Sequence, residues 1–99
     1  MLNINSDKSS MKLVISLEGR LDTTSSPQLE EFIKKEVGNT KELVYDLKNL
    51  EYISSAGLRV LLSSQKIMNK QGAMVLKNVS EEVMEVFEVT GFADIFNIQ

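Results

Sequence analysis

Residues 43–62 read LVYDLKNLEYISSAGLRVLL, and the change of period inside this stretch decides the fold. Leu43 to Leu47 is a short, mostly apolar run, with the length and flanks of a strand buried in a sheet. KNLEYI leads from it to Ser54 and Ser55 and carries Leu50 and Ile53 as apolar anchors. Beyond the serines the spacing is helical. Leu58, Leu61, Leu62, Gln65 and Met68 share one face with Ile67 beside it, and Gly72 follows the last turn, which predicts a helix over residues 56–70. A buried strand running through a short polar turn into an amphipathic helix is the first half of a parallel crossover.

Working outward, AMVLKNV from Ala73 reads as the next short apolar strand. SEEVMEVFEVTG predicts a third helix, capped by Ser80, with Glu81 and Glu82 in its first turn and Val79 and Met84 at the positions of a hydrophobic staple. Val83, Val86 and Phe87 face inward and Gly91 ends it; FADIFNI then supplies a last helical turn or edge strand. Upstream, MKLVISLEG alternates, with Met11, Leu13, Ile15 and Leu17 on one face and Lys12, Val14 and Ser16 on the other. LNINS, with Leu2 and Ile4 on one face, predicts a short first strand antiparallel to it, joined by SDKSS as a turn. RLDTTSS is a polar connection into a helix over 27–37, with Ser26 as N-cap, Pro27 at the first helical position and Gly38 closing it after Leu29, Phe32, Ile33 and Val37.

The resulting order is β-β-α-β-α-β-α: an α/β fold with parallel pairing and right-handed crossovers after the opening hairpin. The 99 residues suit one domain over 1–99. Apolar residues at 42% and charged residues at 25% are ordinary globular usage, and a net charge of −3 carries no basic footprint for nucleic acid. With no cysteine and no histidine, disulfides, thiol nucleophiles, histidine bases and the commonest zinc ligands are all excluded. The five methionines read as core filler. No cofactor is expected. MLNINSDKSS lacks the apolar segment of a signal peptide and no apolar run is long enough for a bilayer, so a cytoplasmic location is expected.

The adjacent serines admit two readings. Either can be an N-cap. Either can instead be a hydroxyl held out for chemistry, because a phosphate at a helix start is well tolerated and adds about −1.5 to −2 charges at neutral pH. Serine hydrolysis has no histidine base to use, and SSAG is not the G-x-S-x-G elbow. One glycine in SSAGLR does not make a phosphate cradle. Asp46 lacks the early acidic pair that an aspartyl phospho-acceptor needs and reads as a satisfied residue at a strand end.

Three pieces, LEGRLDTTSSPQLEEFI, LVYDLKNLEYISSAGLRVLL and VFEVTGFADIFNI, resemble the bacterial anti-sigma factor antagonists, which are STAS domains. The D-L-x-x-L-x-Y-I-S-S-A-G-L stretch is the specific part, and the resemblance spans about residues 4 to 98. It implies a small mixed, mostly parallel sheet packed with helices. It also implies a non-enzymatic protein that binds an anti-sigma factor, usually a serine kinase, and so frees a sigma factor. Phosphorylation of one serine ends binding, and a phosphatase restores it. The accepting serine of the family commonly lies two places before the glycine of the G-L pair, which is Ser55 here, with Ser54 the alternative; on this reading Ser54 caps the helix and Ser55 is presented by it.

Asp22 matches an aspartate that helps engage the kinase, and Thr23, Ser54, Ala56, Gly57, Leu58 and Arg59 fall in the implied contact, Leu58 offering it an apolar side chain. Three positions depart from the pattern. Ser54 stands where an aspartate is usual, Ala56 where a second hydroxyl is common, and Arg20 where a glutamate is usual. The rival readings are a STAS module of a stress-signalling complex or of transport machinery without kinase switching, and an enzyme using Asp22, Asp46 and Ser55. Neither nucleic acid nor membrane is an expected partner, and the free protein is expected to be a monomer.

Overall fold

Four strands and three helices follow one another as β1 (Leu2–Ser9), β2 (Lys12–Leu21), α1 (Ser26–Glu36), β3 (Glu42–Ile53), α2 (Ser55–Gln71), β4 (Ala73–Lys77) and α3 (Glu81–Thr90). A 3₁₀ turn at Phe92–Asp94 closes the chain. The computed structural model describes residues 2–99. The strands form one sheet in the order β1-β2-β3-β4, the first pair antiparallel and the others parallel, as the β-β-α-β-α-β-α reading requires.

Strand alternation sends one set of side chains to the helices. Leu13, Ile15 and Leu17 of β2, Leu43, Tyr45 and Leu47 of β3, and Met74 and Leu76 of β4 share one core with Leu29 and Ile33 of α1, Leu58, Leu61 and Met68 of α2, and Val83 and Phe87 of α3. All three helices therefore lie on one face of the sheet. On the other face Val14, Val44 and Val75 are directly paired across three strands. The core holds one polar pair, Tyr45 Oη and Ser64 Oγ at 2.8 Å, and burial pushes the Tyr45 phenol well above its ordinary value.

Several local boundaries differ from the sequence reading. SDKS is not a turn: it continues β1, with Ser9 opposite Lys12, because an edge strand needs only backbone pairing on its inner side and its side chains can stay in water. Met11 falls at the turn and is exposed rather than in the β2 core row. Arg20 and Leu21 extend β2, and Leu21 is fully buried.

The largest difference is β3, which runs twelve residues to Ile53 rather than stopping at Leu47. Its pairing with β2 slips twice, with Asp46 to Asn49 set against Ser16 to Glu18 and Leu50 to Tyr52 against Gly19 to Arg20. Each slip places an extra residue in β3, a bulge that changes which side chain faces the core. Leu47, Leu50 and Ile53 are thus buried at a spacing of three, which does not read as strand alternation. Asp46 sits at the first bulge rather than a strand end. It is satisfied there, accepting from Lys48 N and Asn78 Nδ2, each at 3.1 Å.

Helix α2 runs to Gln71, and its buried set contains Val60 and Ser64 in place of Leu62 and Gln65, which are half-buried. Ser64 turns to the sheet, where its hydroxyl meets Tyr45 of β3, and Val60 lies beside the α1 residues Ser26, Pro27 and Glu30. In α3, Ser80 Oγ accepts from Val83 N at 3.3 Å and Gly91 ends the helix at φ +82°, as expected, while Val86 is half-buried. The chain end is both a helical turn and a strand contact, Ile98 bridging Leu76 in parallel.

Candidate functional site

Strands β2 and β3 end side by side, Leu21 opposite Ile53, and the next amide, Ser54 N, donates to Leu21 O at 2.9 Å. Two polar segments consequently share one end of the sheet: the connection from β2 to α1 and the start of α2.

The β2–α1 connection is tightly bonded. The Asp22 carboxylate accepts from the Thr24 hydroxyl at 2.8 Å and from the Thr24 and Ser25 amides at 3.1 Å each. Ser25 Oγ accepts from Asp22 N at 2.9 Å and donates to Arg20 O at 2.8 Å. The Thr24 hydroxyl first, and then the Ser25 amide, hold the Asp22 carboxyl at about 2, against an ordinary 3.8. The N-cap of α1 is Ser25, not Ser26, and makes no side-chain cap bond. Ser26 is the first helical residue, buried, with its hydroxyl on Asp22 O, and Pro27 follows it. Ser26 does not cap because its amide and its hydroxyl both donate back to Asp22 O, while Ser25 O accepts from Gln28 N and Leu29 N and so opens the helix one residue earlier. Arg20 stacks on Tyr52, its guanidinium carbon 4.2 Å from the ring centroid, with Nε 3.8 Å from Asp22 Oδ2.

The α2 start is built differently. Ser54 is the N-cap, extended at φ −100° and ψ 176°, and its Oγ accepts a long 3.5 Å bond from Gly57 N. Ser55 is the first helical residue and exposed, and its hydroxyl has no hydrogen-bond partner among the described residues. Gly57 is buried where helix meets sheet. A Cβ there would lie 2.8 Å from Leu21 Cγ and 2.9 Å from both Ile53 Cγ1 and Leu21 O.

Leu58 is only 3% exposed. Gly57 and Leu58 therefore present no side chain to a partner, correcting the expectation that Leu58 offers an apolar contact; they seat the helix instead. Thr23 and Arg59 are exposed and Ala56 is half-buried. These three line a cleft of about 260 Å³ with Ser26, Pro27 and Glu30, between the starts of α1 and α2.

The sequence reading brought Asp22, Thr23, Ser54, Ser55, Ala56 and Arg59 into one neighbourhood, and the structure gathers them at one sheet end. It missed Thr24 and Ser25, whose signal is the D-x-T-S pattern of a side chain that caps its own turn. It also missed Tyr52, hidden in a segment not recognised as strand. Among the described residues no helix is long and apolar enough to cross a membrane.

The STAS domain family profile matches residues 3–99. BtrV of Bordetella bronchiseptica, a candidate anti-sigma factor antagonist, is 37% identical over 99 residues, covering 98% of this chain and 85% of that one. The anti-sigma-B factor antagonist of Bacillus subtilis is 32% identical over 100 residues, covering 98% and 92%. Bacillus SpoIIAA has been solved in two forms, each 20% identical. The unphosphorylated form superimposes with a TM-score of 0.83 over 98% of this chain and 88% of its own, the phosphorylated form with 0.76 over 98% and 91%. At that identity the likeness to SpoIIAA is one of fold.

Proposed function

The chain belongs to the STAS domain family, and from that premise we propose that it is an anti-sigma factor antagonist whose binding is switched off by phosphorylation of Ser55. Unmodified, it binds an anti-sigma factor that is a serine kinase, and the bound sigma factor is released. The kinase then passes the γ-phosphoryl group of ATP to Ser55 Oγ. The new P–O bond forms as the bond to ADP breaks, and the hydroxyl proton leaves to a base on the kinase. A phosphatase returns the serine by hydrolysis. The domain itself supplies no catalytic group.

The observation that carries this reading is the division of labour between two adjacent serines. Ser54 spends its hydroxyl on the α2 cap, whereas Ser55 stands exposed with an uncommitted hydroxyl on a helix start that Gly57 holds against β2 and β3. The two named relatives at 30% identity or more point to the same activity class. A phosphate on Ser55 adds bulk and about two negative charges at the contact, and a charge buried in an interface without a counter-ion is costly. Thr23, Ala56 and Arg59 supply the rest of the exposed contact, and Asp22 holds Thr23 in place by fixing its loop.

The test is incubation with ATP and an anti-sigma factor kinase from the same organism, followed by mass mapping of phosphate and measurement of the complex. Phosphate on Ser55 with loss of the complex is the expected result. Phosphate on Ser54, or a Ser55→Ala protein still released by ATP, overturns the assignment. A complex indifferent to ATP with no phosphate on either serine would favour a STAS module without kinase switching.

A further inference from the structure

Arg59 follows Ser55 by four residues on α2, and both are exposed. Residues four apart on a helix are neighbours, about 5–6 Å between their Cβ atoms. A helical side chain also lies back over the turn before its own Cα, which for Arg59 is the turn of Ser55 and Ala56. Among the described residues the ion pairs are Lys12–Glu42 and Arg20–Asp22, so the Arg59 guanidinium is committed to no carboxylate. It lines the cleft between α1 and α2, where the one acid lining it is Glu30 of α1. The other cation at this end of the sheet, Arg20, is already held by Tyr52 and Asp22.

We propose that Arg59 is the in-chain receptor for a phosphate on Ser55: the guanidinium leaves the cleft and closes on the phosphoserine one turn back. The inference rests on the assignment of Ser55 as the modified serine. The chemistry favours the move. A phosphoserine offers three acceptor oxygens and about −1.5 to −2 charges, and the guanidinium fork matches two of those oxygens at once. Glu30, across the cleft on the other helix, offers a single charge. Phosphorylation then changes two features of the surface together. It adds a group at Ser55 and removes the cation from the cleft lined by Thr23, Pro27 and Glu30. The first change puts bulk in a partner's way, and the second withdraws a charge the partner can use.

The experiment uses full-length protein carrying phosphoserine at position 55 by incorporation during synthesis, so that no kinase is needed. The second ionisation of the phosphate is followed by phosphorus NMR, and the Arg59 Nε–H signal by nitrogen-edited NMR. The expected result is a second pKa below the ordinary ~6 of phosphoserine, raised by ~0.5 unit in Arg59→Gln and partly recovered in Arg59→Lys, which keeps charge without the fork. The Nε–H signal should shift on phosphorylation, and unmodified Arg59→Gln should melt with the parent. Equal second pKa values in parent and Arg59→Gln phosphoproteins, or an unmoved Nε–H signal, would overturn the proposal. These readouts concern phosphate already placed on Ser55, so they fail separately from the kinase assignment, which fails if phosphate is mapped elsewhere.

Discussion

The β2–α1 loop and the start of α2 lie at the same end of the same sheet, yet they use their hydroxyls in opposite ways. In the loop, Thr24, Ser25 and Ser26 all spend their hydroxyls within the loop, on the Asp22 carboxylate, Arg20 O or Asp22 O, and Thr23 stays exposed. At the helix start one hydroxyl caps and the next is left to solvent. The difference teaches what kind of site this is. A loop tied down by the Asp22 carboxylate gives a fixed edge, and the free Ser55 hydroxyl beside it gives a point where one covalent change alters the surface without dismantling the fold.

The comparison breaks most completely at Gly57, on which the position of Ser55 depends. Gly57→Val drives a branched side chain into Leu21 and Ile53, and the backbone of Leu21 cannot yield as a flexible side chain would. A loss of ~3 kcal/mol or more is expected in urea denaturation; a variant of parental stability would show that the helix start is not seated as described.

The next largest loss is expected at the Asp22 loop. Asp22→Ala removes the acceptor for two amides and a hydroxyl, so the Thr24 and Ser25 amides should exchange with solvent much faster than in the parent. The acid side of the stability curve sharpens the point. The folded-state carboxyl lies at about 2, below the ordinary 3.8, so its contribution is fully present above that ordinary value and is lost as pH falls from there through about 2. Asp22→Asn should flatten the curve in that window, and an unchanged acid limb would remove Asp22 as the loop's organiser.

Ser54→Ala should cost ~0.5–1 kcal/mol, the low end for an N-cap because the bond to Gly57 N is long, while phosphate transfer to Ser55 continues. The smallest stability effect is expected at Ser55. Ser55→Ala and Ser55→Asp should both stay within about 0.5 kcal/mol of the parent, yet the alanine protein should hold its partner through ATP addition and the aspartate protein should bind poorly. If instead Ser55→Ala melts low and Ser54→Ala does not, the roles of the two serines are reversed.

The element order, the antiparallel opening pair and the third helix with its Ser80 cap were legible because each rests on local information: period, caps and turn residues within a few positions. The neighbourhood of Asp22 and Ser55 was legible through the family motif, and with it the division in which Ser54 caps α2 and Ser55 stands exposed. What only the tertiary structure decided are the features that depend on a second strand or helix. The two slips of β3 against β2 carry Leu50 and Ile53 into the core and extend the strand to Ile53, and no period within β3 encodes a register set by its neighbour. Val60 and Ser64 are buried rather than Leu62 and Gln65 because Val60 lies against α1 and the Ser64 hydroxyl meets Tyr45 of β3, neither of which is near in sequence. Gly57 and Leu58 turn inward because α2 begins against the end of β2, and sequence spacing carries no measure of how closely a helix approaches a strand distant in the chain.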